Sequence, residues 1–433
     1  MNSKQSDRRR FLKGAPAIAA GLAVGSIPIL SAKSPPPEDE PPQRSSKSRN
    51  AYGERSRFED FSQRRLGAGR KTDYGFRNPM QDQLGIITPV PLHYILDHDR
   101  SLEGLPNDPP DIDPKTHRLL IHGMVDRPLM FSLDDLKRLP SVSRFHFLEC
   151  NANGNPTGPN GEPRRAVTAT AQDTHGLTSC SLWTGVPLPL LFEKAGVQKG
   201  ATWIMAEGAE DEHHTKSIPM GKAMDDCLVV YGQNGEAVRP EQGYPMRLFV
   251  PGYEGINNVK WLRRIKVVDE PYMGKLETST YPSFRVDGKS RWFQFEMGPK
   301  SVITRPSGGQ QLAGAGYYEI SGLAWSGGGK VRRVEVSTDG GKTWKDAQLQ
   351  DPIASKAHTR FVFPWGWNGE ETSILSRCTD ERNMVQPTKE QFAELYKISV
   401  DYFVTGANQI NHFNAIQPWK ISSGGSVTNA LFI

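Results

Sequence analysis

Polar and apolar side chains alternate in Tyr317-Tyr318-Glu319-Ile320-Ser321-Gly322-Leu323-Ala324-Trp325 and again in Val331-Arg332-Arg333-Val334-Glu335-Val336-Ser337. This period-two pattern is typical of β-strands with one buried face. Asp339-Gly340-Gly341 follows the second stretch and indicates a hairpin turn. Further short strands are predicted near residues 360–364 and 372–379. Strands at this spacing, joined by Gly-rich turns, predict an antiparallel sandwich of immunoglobulin type over residues 298–433.

The pattern before residue 298 is different. His117-Arg118-Leu119-Leu120-Ile121-His122-Gly123 predicts a strand that ends in a turn, and Ser132 with Asp135 predicts a capped helix start. Strands and short helices alternate as far as Val268, which predicts a mixed α/β domain over residues 85–297. A chain of 433 residues is too long for one core. We therefore expect two domains and an α+β fold.

The first residues have the pattern of an export signal. Arg8-Arg9-Arg10-Phe11-Leu12-Lys13 precedes a Gly- and Ala-rich apolar stretch that runs from Ala15 to Leu30. A membrane anchor is the alternative, but a spanning helix needs about 20 apolar residues, and this stretch is shorter and contains Pro. The paired arginines are typical of twin-arginine signals, which export folded proteins. We expect a signal peptide over residues 1–32, a periplasmic location and no permanent membrane anchor.

Composition and the cysteine pattern limit the partners and cofactors that we expect. Residues 33–84 are mostly rich in Pro, Ser, Glu, Arg and Gln, which predicts a disordered or surface-draped linker. The net charge of +5 is mild and lies largely near the N-terminus, so a nucleic-acid partner is not expected. No C-x-x-C-H sequence is present, so no haem is expected in this chain. Cys180, Cys227 and Cys378 are widely spaced, and the sequence leaves open whether they pair or remain buried thiols.

Cys150 occupies a distinctive position. Phe145-His146-Phe147-Leu148-Glu149 is an apolar strand, and Asn151-Ala152-Asn153-Gly154-Asn155 is a small, amide-rich loop. A thiol between them leaves room for a ligand to approach the sulfur, which as a thiolate could bind a transition metal or act as a nucleophile. A structural cysteine is the alternative that this local pattern alone favours.

Two cations flank a later turn. Arg247 lies in Gly243-Tyr244-Pro245-Met246-Arg247-Leu248-Phe249-Val250-Pro251-Gly252, and Lys260 lies in the next strand-like segment, Val259-Lys260-Trp261-Leu262. Arg offers a fork of donors and Lys a point charge for a phosphate or another anion. Two ordinary surface cations are the alternative. The chain has neither a G-x-x-x-x-G-K loop nor a strand–G-x-G-x-x-G–helix unit, so nucleotide sites of those kinds are unsupported.

The order of these motifs resembles the molybdenum domain of the sulfite oxidase family. The resemblance rests on Leu148-Glu149-Cys150, on Trp183-Thr184-Gly185-Val186-Pro187-Leu188, and on the Val-Pro-Gly and Val-Lys-Trp segments around Arg247 and Lys260. It extends from about residue 85 to the C-terminus, and the predicted sandwich resembles that family's dimerisation domain.

The resemblance implies a mononuclear molybdenum held by one pyranopterin dithiolene, with Cys150 as the thiolate ligand. Catalytic positions correspond to Cys150, Tyr281 and His98. Cofactor-binding positions correspond to His98, Cys150, Glu210, Gln242, Arg247, Asn258, Val259 and Lys260, with altered residue types at Glu210 and Gln242.

Within that family the chain is similar to the molybdenum subunit (SoxC type) of the Sox sulfane or sulfite dehydrogenase. The segments carrying this likeness include Ser301-Val302-Ile303-Thr304-Arg305-Pro306 and Ile320-Ser321-Gly322-Leu323-Ala324-Trp325. It implies oxidation of sulfite or of sulfane sulfur on a carrier protein. Electrons would leave to a separate c-type cytochrome subunit, and the assembly would be a homodimer or a heterotetramer.

Several positions depart from the sulfite oxidase pattern. Leu96-Asp97, Asn153-Gly154-Asn155 and the segment 402–406 lack arginines that the sulfite enzymes place around the metal. Each lost charge-assisted contact would weaken capture of a dianion by about 1.5–3 kcal/mol. The sequence therefore leaves three hypotheses: a sulfur-oxidising enzyme, which it favours, a molybdenum reductase of an S-oxide such as methionine sulfoxide, and a non-catalytic subunit of the same fold.

Overall fold

The computed structural model describes residues 65–66, 75–96, 109–155, 166–210, 213–399 and 412–431. The predicted signal peptide over residues 1–32 and most of the predicted linker lie outside these ranges. None of the helices in the described ranges has the length and apolar content needed to cross a membrane.

The described residues are mainly β-strand. In chain order the strands are β1 (Arg65–Leu66), β2 (Gly75–Arg77), β3 (Ile95–Leu96), β4 (Leu119–Gly123), β5 (Leu129–Phe131), β6 (Val142–Glu149), β7 (Thr178–Pro187), β8 (Trp203–Gly208), β9 (Thr215–Pro219), β10 (Leu228–Gln233), β11 (Glu236–Ala237), β12 (Arg247–Phe249), β13 (Leu262–Val268), β14 (Ser283–Phe284), β15 (Ser290–Arg291), β16 (Lys300–Arg305), β17 (Gly316–Trp325), β18 (Val331–Ser337), β19 (Lys345–Asp346), β20 (Gln348–Gln350), β21 (Thr359–Trp367), β22 (Thr372–Asp380), β23 (Trp419–Ile421) and β24 (Val427–Asn429).

The helices are short. They are α1 (Leu133–Lys137), α2 (Ala171–His175), α3 (Leu188–Ala195), α4 (Met220–Ala223) and α5 (Lys389–Tyr396). The predicted capping box at α1 is confirmed, because Ser132 accepts from the Asp135 backbone and the Asp135 carboxylate accepts from the Ser132 backbone. The predicted mixed α/β domain is therefore rich in strands, and its helices have only one or two turns. Pro and Gly interrupt the apolar runs and keep these helices short.

Two five-stranded sheets, with the small sheets β1-β2-β3 and β14-β15, form the described part of the molecule before residue 298. The cysteine sheet has the order β11-β10-β7-β6, with β12 also paired to β10. The mixed sheet has the order β5-β4-β13-β8-β9, in which only the β4–β13 pair is parallel. Apolar side chains of both sheets and of α3, including Val186, Phe192, Leu248 and Ile265, share a core. This core fixes the start of β12 beside the segment just before β13, where Arg247 and Lys260 lie.

The later strands form two antiparallel sheets, β16-β17-β21-β20 and β19-β18-β22-β23-β24. The strands predicted from the two alternating stretches are confirmed, with bounds that agree to within one residue. The predicted hairpin after Ser337 is also confirmed, because β18 pairs with β19 across it. Trp325, Phe361, Ile374 and Trp419 from both sheets are fully buried in one core.

This core also includes residues from the cysteine sheet. Phe147 of β6 and Cys180 of β7 pack into it. The backbones of Gly252 and Gly327 lie so close that a Cβ on Gly252 would stand 2.6 Å from the Gly327 carbonyl oxygen. Glycine at both positions therefore permits the close contact between the loop after β12 and the end of β17.

The predicted start of the folded body at residue 85 is too late. Met80 is fully buried in the shared core, and Asn78 is almost fully buried, with its side chain bonded to Gln83 and to the Thr178 carbonyl. Arg77 donates to the Asp173 carbonyl at 2.6 Å. Residues 75–84 are thus part of the fold, because a few specific contacts outweigh the polar composition on which the linker prediction rested.

Candidate active site

Cys150 follows directly after β6, as predicted, and its backbone is held on both sides. Its N–H donates to the Leu177 carbonyl at 2.9 Å, and its carbonyl accepts from the N–H of Asn153 at 3.0 Å. The second bond closes a tight turn over the amide-rich loop. The Sγ atom lies 3.3 Å from the Asn151 side-chain oxygen, and only 5% of the residue is exposed. The thiol is therefore placed by backbone geometry rather than by packing alone.

Cys150 lines a cavity that includes about 1150 Å³ of space with its open mouth. Every predicted site residue that the structure describes contributes to its wall, namely Cys150, Glu210, Gln242, Arg247, Asn258, Val259, Lys260 and Tyr281. His98 lies outside the described residues, as do Asp97 and the segment 402–406.

Arg247 is almost completely buried at the back of this cavity. Its guanidinium donates to the backbone carbonyls of Gln242 and Asn258 at 2.8 and 2.9 Å, and it lies 5.4 Å from the centre of the Trp183 ring. Burial lowers the pKa of Arg247 to about 10, partly offset by Tyr94. Its Nε has no hydrogen-bond partner among the described residues. The Arg247 guanidinium is therefore a buried cation whose Nε–H can still donate to a ligand.

Lys260 contributes the second cation. Its Nζ lies 3.2 Å from the Glu241 carbonyl oxygen, 3.5 Å from that of Leu96, and 4.5 Å from the centre of the Trp261 ring. Burial lowers the pKa of Lys260 to about 7. An anion beside it would favour the charged form and raise that pKa again.

Three polar residues complete this wall. Gln242 donates to the Tyr94 carbonyl at 2.9 Å, and Asn258 accepts from the Val250 N–H at 2.7 Å while donating to the Glu254 carbonyl. Glu210 accepts from the His214 N–H at 2.9 Å. These bonds hold the segments before and after β12 and the connection between β8 and β9 in fixed positions around the cavity.

Tyr281 lies on the wall near Cys150, just after the π-helical turn Leu276–Thr280. Burial raises its pKa well above the ordinary value, and the nearby Cys150, Glu254 and Tyr94 raise it further. The phenol is therefore protonated at neutral pH and can donate a hydrogen bond. The buried Lys216 lies with its Nζ 5.1 Å from the centre of the Tyr281 ring.

Sequence reasoning did not identify Tyr94 or Lys216. Tyr94 lines the cavity. Burial raises its pKa, and the nearby Cys150 raises it further. Its position four residues before His98, in a segment compared with the family, was an available signal. No sequence signal marked Lys216, because no motif around it distinguishes it from other lysines in strands. Cys180, Cys227 and Cys378 are free thiols with no exposed surface, so the structure has none of them in a disulfide.

The donors around the cavity suit a cofactor that carries both a metal and a phosphate. A buried donor without an acceptor costs about 1–3 kcal/mol, which a phosphate oxygen near Arg247 Nε would remove. Lys260 lines the same cavity and adds a second positive charge near Arg247. Cys150 supplies a soft sulfur ligand on the same cavity.

Comparisons with known proteins agree with this arrangement. The family described as the oxidoreductase molybdopterin binding domain matches residues 106–276, and the Mo-co oxidoreductase dimerisation domain matches residues 291–404. The crystal structure of the sulfane dehydrogenase SoxCD from Paracoccus pantotrophus aligns with a TM-score of 0.79 and 35% identity, covering 90% of this chain and 97% of that one.

Curated relatives are longer proteins. Mitochondrial sulfite oxidase from Rattus norvegicus is 30% identical over 70% of this chain and 57% of its own length. The NADH nitrate reductase from Solanum lycopersicum is 32% identical over 70% of this chain and 36% of its own length. The chain therefore spans about a third to a little over half of the curated relatives it matches.

Proposed function

Because the chain belongs to the sulfite oxidase family of molybdopterin oxidoreductases, we propose that it oxidises inorganic or carrier-bound sulfur at the cavity beside Cys150 and passes electrons to a separate c-type cytochrome. The observation that carries this proposal is that the thiol of Cys150 lines the same cavity as the cations Arg247 and Lys260. A thiolate and an anion-binding pair on one cavity suit a phosphorylated, metal-bearing cofactor.

The cofactor would be held by residues that the structure already positions. Arg247 and Lys260 would bind its phosphate, Gln242 and Asn258 would fix the surrounding loops, and Cys150 would ligate molybdenum. When bound, the molybdenum cofactor supplies a two-electron redox centre that the protein side chains lack.

The chain's own residues have separate tasks. Cys150 must lose its proton to become a ligand. Tyr281 keeps its proton, because its pKa is raised, and can donate a hydrogen bond to an oxygen of the substrate. His98 is assigned to the same region by resemblance. Leu148 and Ile256 contribute apolar surface to the cavity that Cys150 lines.

The cavity also supports a second candidate, reduction of a neutral S-oxide. Arg247 is the only arginine among the described lining residues, and two of its donors are used by backbone carbonyls. Leu96 lines the cavity where the sulfite enzymes are expected to have arginine. A pocket lined by a single arginine suits a neutral substrate better than a pocket with an arginine cluster does.

Location, assembly and fold detail are part of the same proposal. The twin-arginine pattern supports export of the folded chain to the periplasm. The match to a dimerisation domain supports a homodimer or a heterotetramer with a cytochrome subunit, and a sulfur-carrier protein is a candidate substrate. The two antiparallel sheets that share a core support an immunoglobulin-like sandwich within an α+β chain.

One experiment separates the candidate functions. Purified protein with measured molybdenum content is assayed in parallel with sulfite and thiosulfate plus an oxidised cytochrome c, and with methionine sulfoxide plus a reduced dye. Oxidation of sulfite or thiosulfate supports the proposal, and reduction of the S-oxide alone supports the second candidate. Full molybdenum content with no turnover in any arm would favour a non-catalytic subunit, provided that a carrier-bound sulfane substrate is also inactive.

A further inference from the structure

The residue before Cys150 forms a completely buried ion pair with the later part of the chain. Lys300, the first residue of β16, places its Nζ 2.6 Å from Glu149 Oε1, and neither side chain has any exposed surface. Trp325, at the end of β17, donates its indole N–H to the other carboxylate oxygen at 2.7 Å. Both oxygens of a carboxylate from the cysteine sheet are therefore held by side chains of the sheet β16-β17-β21-β20.

The same ion pair reaches the loop that carries Cys150. The Asn153 side chain donates to Glu149 Oε1 at 2.9 Å, and the Asn153 carbonyl accepts from Lys300 Nζ at 3.0 Å. The side-chain oxygen of Asn153 accepts from the Leu177 N–H at 2.9 Å. Asn153, which is fully buried, is thus fixed through its side chain and its backbone by Glu149, Lys300 and Leu177.

Asn153 in turn fixes Cys150, because its N–H closes the turn onto the Cys150 carbonyl and Leu177 accepts from the Cys150 N–H. We infer that Glu149 and Lys300, with Asn153 and Trp325, form a buried brace through which the C-terminal sheets set the position of the Cys150 thiol on the cavity wall. Glu149 and Lys300 are positioning residues, since they act on Cys150 only through the loop. This inference rests on the proposed role of Cys150 as the metal ligand.

A buried ion pair between two sheets carries a large desolvation free energy, because both charges lose their hydration. Apolar side chains of similar volume would stabilise such an interface equally well or better. What a carboxylate adds is directed bonding: Glu149 accepts from three named donors whose positions then determine one geometry of the loop. That specificity is useful next to a residue whose sulfur must meet a metal.

The test uses variants that keep the volume of the brace. Lys300→Met alone would leave a buried carboxylate without its cation and is expected to unfold the chain. Glu149→Gln keeps the shape but turns one acceptor into a donor. The double variant Glu149→Gln/Lys300→Met, which has neither charge, supplies the same comparison if the single variant does not fold.

Glu335→Gln is the matched control. Glu335 is also buried, and it pairs with Arg333 and Arg377 at 3.0 and 2.8 Å within β18 and β22, away from the Cys150 loop. Loss of this carboxylate should lower the melting temperature by less than Glu149→Gln does, because Arg333 and Arg377 are partly exposed and Lys300 is not. It should leave the region around Cys150 unchanged.

The first measurement needs no cofactor. The rate of Cys150 alkylation by iodoacetamide is followed by peptide mass spectrometry in folded, cofactor-free protein, with the fully buried Cys180, Cys227 and Cys378 as internal references. We expect Cys150 to react at least about tenfold faster in Glu149→Gln than in the wild type, because losing a charge-assisted bond favours the open loop by that factor or more. The control variant should react at the wild-type rate.

The second measurement uses the loaded protein. The electron paramagnetic resonance spectrum of Mo(V), compared at equal metal content, should change in Glu149→Gln and remain unchanged in Glu335→Gln. Wild-type alkylation rates and an unchanged spectrum in Glu149→Gln, together with a lowered melting temperature, would show that the brace contributes only to packing. Wild-type protein that never binds molybdenum would instead refute the proposed function, and the alkylation result would still decide the inference about the loop.

Discussion

Replacing Lys260 by methionine should change stability and cofactor binding in opposite directions. Burial lowers the pKa of Lys260 from its ordinary value of 10.5 to about 7 in the cofactor-free protein. A lysine whose folded-state pKa lies below its unfolded value destabilises the folded state while the unfolded side chain is protonated. That penalty is fully present below about pH 7 and disappears as pH rises towards 10.5.

The size of the effect follows from that difference in pKa. It corresponds to at most about 5 kcal/mol, and solvent around this partly exposed side chain reduces it. Lys260→Met should therefore make the cofactor-free protein more stable at pH 6, with a smaller gain at pH 9. Removing the cation should also weaken phosphate binding by about 1.5–3 kcal/mol, or roughly 10- to 150-fold.

Urea unfolding of cofactor-free protein at pH 6 and pH 9 measures the first effect, and molybdenum and pterin content after expression measures the second. Lys260→Arg is the control, because it retains the charge at every pH and should load cofactor without pH dependence. A Lys260→Met protein that is less stable than the wild type at pH 6 and still loads fully would refute this account of the cation.

Three further predictions concern substrate, catalysis and export. Leu96→Arg should lower the KM for sulfite, with a gain that shrinks as ionic strength rises, and tight, salt-insensitive sulfite binding by the wild type would show that the pocket has cations elsewhere. Tyr281→Phe should reduce kcat about 10²-fold or more with little change in metal content, because it removes the raised-pKa phenol, and an unchanged kcat would remove Tyr281 from the mechanism. Replacing Arg8 and Arg9 by Lys should leave folded, cofactor-loaded protein in the cytoplasm, as cell fractionation would show, whereas an unchanged periplasmic yield would indicate another export route.

The strands of the later sheets could be predicted because their signal is local. In β17 and β18 the period-two alternation extends over the whole strand, and the Gly-rich turn after Ser337 marks where the chain reverses. The cavity residues Arg247 and Lys260 were identified because the motifs around them resemble one family. Their meeting with Cys150 depends on contacts between two sheets, which no local pattern in the sequence encodes.

Other features could not be predicted for the same reason. Glu149 and Lys300 are separated by 151 positions, and neither residue type indicates burial. The packing of Met80 was hidden by its polar surroundings in the sequence. The low pKa of Lys260 arises from burial, and only a structure shows how little water surrounds that side chain.

The central claim is that Cys150 is the protein ligand of a molybdenum cofactor, and the Cys150→Ser variant tests it most directly. Turnover, molybdenum content and pterin content are measured in purified wild-type and variant protein. Since oxygen is a poorer ligand than sulfur for a soft metal, the variant should fold and retain pterin while losing turnover. Wild-type protein should contain molybdenum and pterin in equal amounts. Normal activity in Cys150→Ser, or active wild-type protein without molybdenum, would contradict the assignment.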